Sequence, residues 1–137
     1  MFEHIARIVK QVVESGGRAG VGSHGQLQGL GYHWELWMLH SGGLTPHQSL
    51  RVATLLGAQG IGLDKDIGSI EKGKLADLIV LDANPLESIR NSNRLRYVMK
   101  NGRLFEAGTL NEIWPRERKL EKLYWSGDEP NTEAGVK

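Results

Sequence analysis

Apolar residues recur at three- and four-residue steps through the first fourteen positions, where Phe2, Ile5, Ile8, Val9, Val12 and Val13 fall on one helical face. Gly16-Gly17 supplies the stop. The pattern predicts an amphipathic helix over 1–14, with a stripe so apolar that it must pack on a sheet or on another chain. Arg18-Ala19-Gly20-Val21-Gly22 is short and lies between two helical patterns. It reads as a β-strand whose C-terminal end feeds an irregular loop at Ser23-His24-Gly25-Gln26. From Tyr32 to His40 the aromatics Tyr32, Trp34 and Trp37 and the leucines Leu36 and Leu39 make a helix apolar nearly all round, to be largely covered. After Ser41-Gly42-Gly43, Thr45 as N-cap, Pro46 at the first helical position and Gln48 three residues on form a capping box. Leu50, Ala53, Thr54 and Gly57 are the expected inner face of that helix.

The period then changes. Beyond the polar loop Asp64-Lys65-Asp66 and an extended arm at Ile70, the turn Lys72-Gly73-Lys74 leads to Leu78-Ile79-Val80-Leu81, a continuous apolar run between aspartates that reads as a buried core strand. Asn84-Pro85-Leu86 breaks it. Residues 94–99 alternate Leu95, Tyr97 and Met99 against Arg96 and Val98, and Asn101-Gly102 is a strong hairpin signal leading to a return strand, 103–105. Thr109-Leu110-Asn111-Glu112 repeats the capping-box pattern, predicting a short helix stopped by Pro115. A second helix is expected over 116–125, with Leu120, Leu123 and Tyr124 as its apolar edge, followed by a polar tail of disordered composition from Ser126.

The stretch Gly68-Ser69-Ile70-Glu71-Lys72-Gly73-Lys74-Leu75-Ala76-Asp77-Leu78-Ile79-Val80-Leu81-Asp82 resembles the signature near the C-terminus of the amidohydrolase superfamily, the metal-dependent hydrolases that include dihydroorotases, imidazolonepropionases and prolidase-like enzymes. Leu44 to Thr54 is similar to the helix that precedes it in those proteins, and Arg96 to Arg103 to their closing hairpin. The resemblance covers about residues 18–114. It implies an α/β chain made of the last βα unit or units of a TIM-barrel-type amidohydrolase, then a small β-sandwich portion and a C-terminal helix. The corresponding boundaries are 1–63, 64–108 and 109–137.

Length agrees with a part rather than a whole. The chain has 137 residues, enough for one domain with a core, whereas a complete (β/α)₈ barrel takes about 250. A net charge of +1 with 24% charged residues provides no field to recruit nucleic acid or an acidic membrane, so neither is an expected partner. The absence of cysteine excludes disulfides, thiolate metal sites and a cysteine nucleophile while leaving the compartment open. No run approaches the ~18 apolar residues of a membrane helix, and Glu3, Arg7, Lys10 and Glu14 make the first segment unlike a signal peptide. A severed barrel strand and an uncovered helix stripe lead us to expect a homo-oligomer or pairing with a missing N-terminal barrel segment.

Five histidines raise the question of a metal. His33 and His40 are seven apart, two helical turns or about 10.5 Å, too far to share an ion held at ~2.1 Å per ligand. His4 and His47 read as surface residues. His24 is set apart by its position at a strand tip among glycines: it is either a loop histidine with local hydrogen bonds or a catalytic residue, and by the resemblance it falls where the family has an aspartate that touches the metal. Gln26 and His33, with Trp34 and Glu35, are candidates for the substrate-binding wall. The resemblance implies zinc or another divalent metal in the parent family, held by a His-x-His at the first strand, a bridging carboxylate or carbamylated lysine and two further histidines. None of these has a counterpart here, so no metal ligand and no cofactor is assigned to this chain, and alone it is expected to be inactive. The glycine pattern Gly20 to Gly25 lacks the acidic partner of a dinucleotide site, adjacent Ser23 and His24 lack an orienting carboxylate, and Arg116, Arg118, Lys119 and Lys122 alternate with Glu117 and Glu121 as on a solvated helix face.

Overall fold

The computed structural model describes residues 2–24, 27 and 29–121. Helix α1 (Phe2–Glu14) and helix α2 (Leu30–Ser41) form where the apolar periodicity places them, and they pack on each other. Ala6 of α1 is fully buried where it meets Gly42 at the end of α2. The stripe on α1 is only partly covered: Val9 and Val13 turn into the core, while Phe2, Ile5, Ile8 and Val12 remain exposed.

Helix α3 (Pro46–Arg51) starts on the expected capping box. The Gln48 N–H donates to Thr45 Oγ1 at 3.2 Å, and the Thr45 N–H donates to Gln48 Oε1 at 2.8 Å. The helix then widens into a π-helical turn, Val52–Leu56, before α4 (Gly57–Gly60). A π turn adds a residue relative to α-geometry and so rotates the face that follows it. This corrects the expected inner face: Ser49, Val52, Leu56 and Ala58 are the buried positions, Leu50, Ala53 and Gly57 are half-buried, and Thr54 is exposed. The Tyr32 hydroxyl donates to the Ala53 carbonyl within the wide turn at 2.8 Å.

Two buried clusters meet at Val21. One joins Leu39, Leu44, Val52 and Leu56, and the other joins Leu36, Trp37 and Ile89; Val21 packs against both. Residues 18–22 form no strand of a sheet. Among the described residues, none of their backbone groups pairs with another backbone group, which corrects the expected β-strand: a strand needs a neighbour, and no neighbouring strand is present beside it.

The second half is a four-stranded antiparallel sheet in sequence order: β1 (Leu78–Leu81), β2 (Leu95–Lys100), β3 (Arg103–Glu106) and β4 (Glu112–Trp114). Asn101 and Gly102 adopt φ of 49° and 76°, the turn conformation their sequence favours, and bring Lys100 opposite Arg103. Strand β1 is an edge strand rather than a buried core strand: Ile79 is 55% and Val80 46% exposed, because β1 has a partner only on its β2 side. Ile70 projects into solvent.

The helix expected after Thr109 is replaced by β4. Thr109 Oγ1 donates to Glu106 Oε2 at 2.7 Å and accepts from the Asn111 N–H at 3.1 Å, so it closes a turn instead of capping a helix. Glu112, the would-be capping glutamate, is buried and held by Arg103 through two hydrogen bonds. Residues 116–121 are not helical either: Arg118 pairs back on Glu112 by two backbone hydrogen bonds of 2.9 Å. The rest of the expected C-terminal helix and the tail lie outside the described residues.

Candidate functional site

The segment 18–24 ends beside the N-terminal half of α2, and the polar groups there come from both. His24 is exposed, at the end of the segment. Two residues earlier the Gly22 N–H points between the carboxylate oxygens of Glu35, 3.3 Å from each, so α2 supplies a side-chain acceptor that fixes the segment's tip. Gln26 lies outside the described residues.

His33 is half-buried, and its contacts run toward the sheet. Its Nδ1 lies 3.1 Å from Ser92 Oγ, in the 3₁₀ turn Ile89–Asn93 that leads into β2. The same oxygen accepts from Trp37 Nε1 at 3.0 Å, and that indole N–H also reaches the Ile89 carbonyl at 3.1 Å. Indole nitrogen only donates, so Ser92 accepts there, and toward His33 Nδ1 it donates or accepts according to the imidazole tautomer. Burial holds the His33 pKa below its ordinary 6.5, which favours the neutral ring. The Arg90 guanidinium stacks 4.2 Å from the centre of the Trp37 ring, closing the junction from the sheet side. Tyr32 on the same helix has its pKa raised, first by burial and then by the charge of Glu35.

The sequence offers His24 as the catalytic candidate and Gln26 and His33 as the substrate-binding wall. Of these, His33 bonds to Ser92, and among the described residues no hydrogen bond links it to His24. Ser92 was missed. It lies 59 residues from His33 in an irregular turn, and a serine there carries no periodic or motif signal. The apolar pattern predicts only that Trp37 is covered, yet a buried indole N–H also demands an acceptor.

Among the described residues no three histidine, aspartate or glutamate side chains converge as a metal site would require. Glu35 is occupied by Gly22 and His33 by Ser92, so no step of a reaction is assigned here through a metal.

The Amidohydrolase family model matches residues 9–105. The chain is 40% identical over 79 residues to imidazolonepropionase of Shouchella clausii, covering 55% of this chain and 18% of that protein. It is 33% identical over 103 residues to guanine deaminase of Escherichia coli, covering 74% and 22% respectively. Among solved structures, a Xaa-Pro dipeptidase with methionine bound in its active site superposes with a TM-score of 0.65 at 30% identity, over 75% of this chain and 26% of that one. The chain thus spans about a fifth of the length of these curated relatives. With more than half of its residues inside the family model, the chain belongs to the amidohydrolase family.

Proposed function

We propose that this chain is the C-terminal part of an amidohydrolase acting on carbon–nitrogen bonds of an amide, peptide-like or cyclic-amide substrate, and that by itself it is catalytically inert. Its units are the remnant of the barrel over 1–63, a portion of the β-sandwich over 64–108 and a terminal appendix over 109–137. The observation that carries the reading is the pairing of a family match over residues 9–105 with a described donor set in which no three ligands converge. Relatives named imidazolonepropionase, guanine deaminase and Xaa-Pro dipeptidase all act on carbon–nitrogen bonds, which supports the bond class.

In the intact enzyme a divalent metal such as zinc, held by residues outside this chain, supplies the Lewis acid. This chain's own residues position rather than react. Glu35 holds the segment at Gly22, His33 stays neutral beside Ser92, and His24 and Gln26 are the residues we assign to the substrate side. The test is a hydrolysis panel of N-acyl amino acids, dipeptides ending in proline and cyclic amides, run on the purified chain with zinc or manganese. Turnover above the buffer rate that is abolished by a chelator would refute inertness.

A second reading has its own support: the exposed row on α1 and the unpaired segment 18–22 suit a non-catalytic α/β module that works by association with its own copies. Light scattering on an eluting chromatographic peak tests it: a dimer or larger is expected under either reading, and a compact monomer at every concentration counts against the module.

A further inference from the structure

Strand β3, the turn after it and the segment that pairs back on β4 enclose a cavity of about 340 Å³, within the size range of small-molecule sites. Its floor is apolar, made by half-buried Phe105 with the exposed Leu110 and Leu120 beside it. Leu110 stands there at a φ of 58°, a left-handed conformation that bulky residues rarely adopt, so leucine is held at this position against the local preference of the backbone. The opposite wall is fixed as well. Arg118 and Glu112 exchange two backbone hydrogen bonds of 2.9 Å, and the Leu120 N–H donates to Asn111 Oδ1 at 2.9 Å.

The rim is cationic. Arg103, Arg118 and Lys119 line it against two carboxylates, Glu112 and Glu121. Both oxygens of buried Glu112 are taken by Arg103, so that pair cancels. The same hydrogen bonds are the first cause that holds the Glu112 carboxyl below its usual range, and the charges of Arg118 and Arg116 act in the same direction. Two further guanidinium groups therefore stand near a carboxylate that one already neutralises. Glu121 meets Arg118 only at 3.5 Å, between side chains 68% and 87% exposed, a contact that water weakens. Lys119 makes no ion pair among the described residues. On a helix, the alternating charges of 116–121 would be spread around a solvated surface. Because this segment pairs back on β4 instead, cations and apolar floor come to one cavity.

We propose that this cavity binds a small organic carboxylate with an apolar body, its carboxylate between Arg118 and Lys119 and its body on Phe105, Leu110 and Leu120. The ligand's carboxylate takes the place of Glu121 at Arg118 and offers two oxygens to the guanidinium fork. Its hydrocarbon covers leucine surface that otherwise faces water. An inorganic anion leaves the floor wet, and a neutral apolar molecule gains nothing from the rim. The proposal does not rest on whether the chain is catalytic.

The test titrates the full chain with 1-naphthylacetate, 1-naphthylacetamide and acetate, read by calorimetry and by backbone amide shifts. The expected result is one naphthylacetate per chain with a dissociation constant of about 0.3–3 mM, the affinity its size allows, and the largest shifts at residues 105, 110 and 118–120. The amide keeps the shape without the charge, and acetate keeps the charge without the body. Each should bind at least about fivefold more weakly. Arg118→Gln removes the guanidinium and leaves the backbone pairing with Glu112. Leu110→Asn removes the apolar wall with a residue that tolerates positive φ. Circular dichroism verifies both folds, and each variant should weaken naphthylacetate at least about threefold. Glu121→Gln, which removes a competing carboxylate, should tighten it. No saturable binding up to about 20 mM would overturn the proposal. So would equal affinity for the amide or for acetate, shifts clustered away from the cavity, unchanged affinity in either weakening variant, or weaker binding by Glu121→Gln.

Discussion

Replacing Trp37 with phenylalanine tests how the helical unit is tied to the sheet. The indole N–H satisfies two acceptors at once, the Ile89 carbonyl and Ser92 Oγ, and both residues are buried, Ser92 at 3% exposure. After the change Ser92 keeps His33 Nδ1 as a partner and the Ile89 carbonyl keeps the backbone bond of its 3₁₀ turn, so the loss is the shared indole bond, about 0.5–1.5 kcal/mol. A smaller ring under Arg90 weakens the cation–π contact by about 0.5–1 kcal/mol. The sum is about 1–2.5 kcal/mol. Ser92→Ala leaves Trp37 bonded to Ile89 and His33 open to water, so about 0.5–1 kcal/mol is expected. Urea unfolding followed by circular dichroism, with the double variant to complete the cycle, should return a coupling of about 0.5–1.5 kcal/mol. The reasoning is refuted if Trp37→Phe costs under about 0.5 kcal/mol, or if Ser92→Ala costs more than Trp37→Phe.

Gly42 tests the crossing of α1 and α2. Its φ of −73° suits alanine, but a Cβ there would sit 2.3 Å from the Ala6 carbonyl carbon and 2.7 Å from the Ala6 Cβ, so Gly42→Ala should destabilise by about 1–3 kcal/mol, less up to about 1 kcal/mol gained by stiffening the unfolded chain, read as a lowered midpoint in urea. His33 is neutral in the fold with a pKa below 6.5. Stability at this site is therefore full above 6.5 and declines as pH falls from 6.5 through the folded value, and a proton NMR titration should place the His33 midpoint below 6.5. Glu112 is held low first by its hydrogen bonds to Arg103, and Asp77 first by its bond to Lys100. Their contribution is full above about 4.5 and lost as pH falls through their depressed values, and Arg103→Ala should move the acid-unfolding midpoint upward.

Local signals were legible where the residues that decide them are neighbours. The capping box at Thr45, the α1 and α2 periodicity and the Asn101-Gly102 turn each depend on contacts within a few positions, and each stands as read. The same box pattern failed at Thr109 because Glu112 was claimed by Arg103 across a ladder, a contact that no local pattern encodes. At Leu78–Leu81 the apolar run predicts a buried strand, which the structure pairs on one side only, and at 18–22 the pattern predicts a strand that finds no backbone partner among the described residues, because pairing is set by distant segments. Among the candidate site residues, His33 and Glu35 stand on the helix where their pattern puts them, whereas Ser92 acquires its contact only when the turn before β2 meets α2, which no local pattern encodes.

The central claim is that this chain does not by itself hold the ion its family uses. Elemental analysis of the chain, purified from cells grown with added zinc and dialysed against metal-free buffer, tests it most directly. The account predicts well under one metal ion per chain; one tightly held ion per chain, displaced only by a strong chelator and lost in His24→Ala, would contradict it.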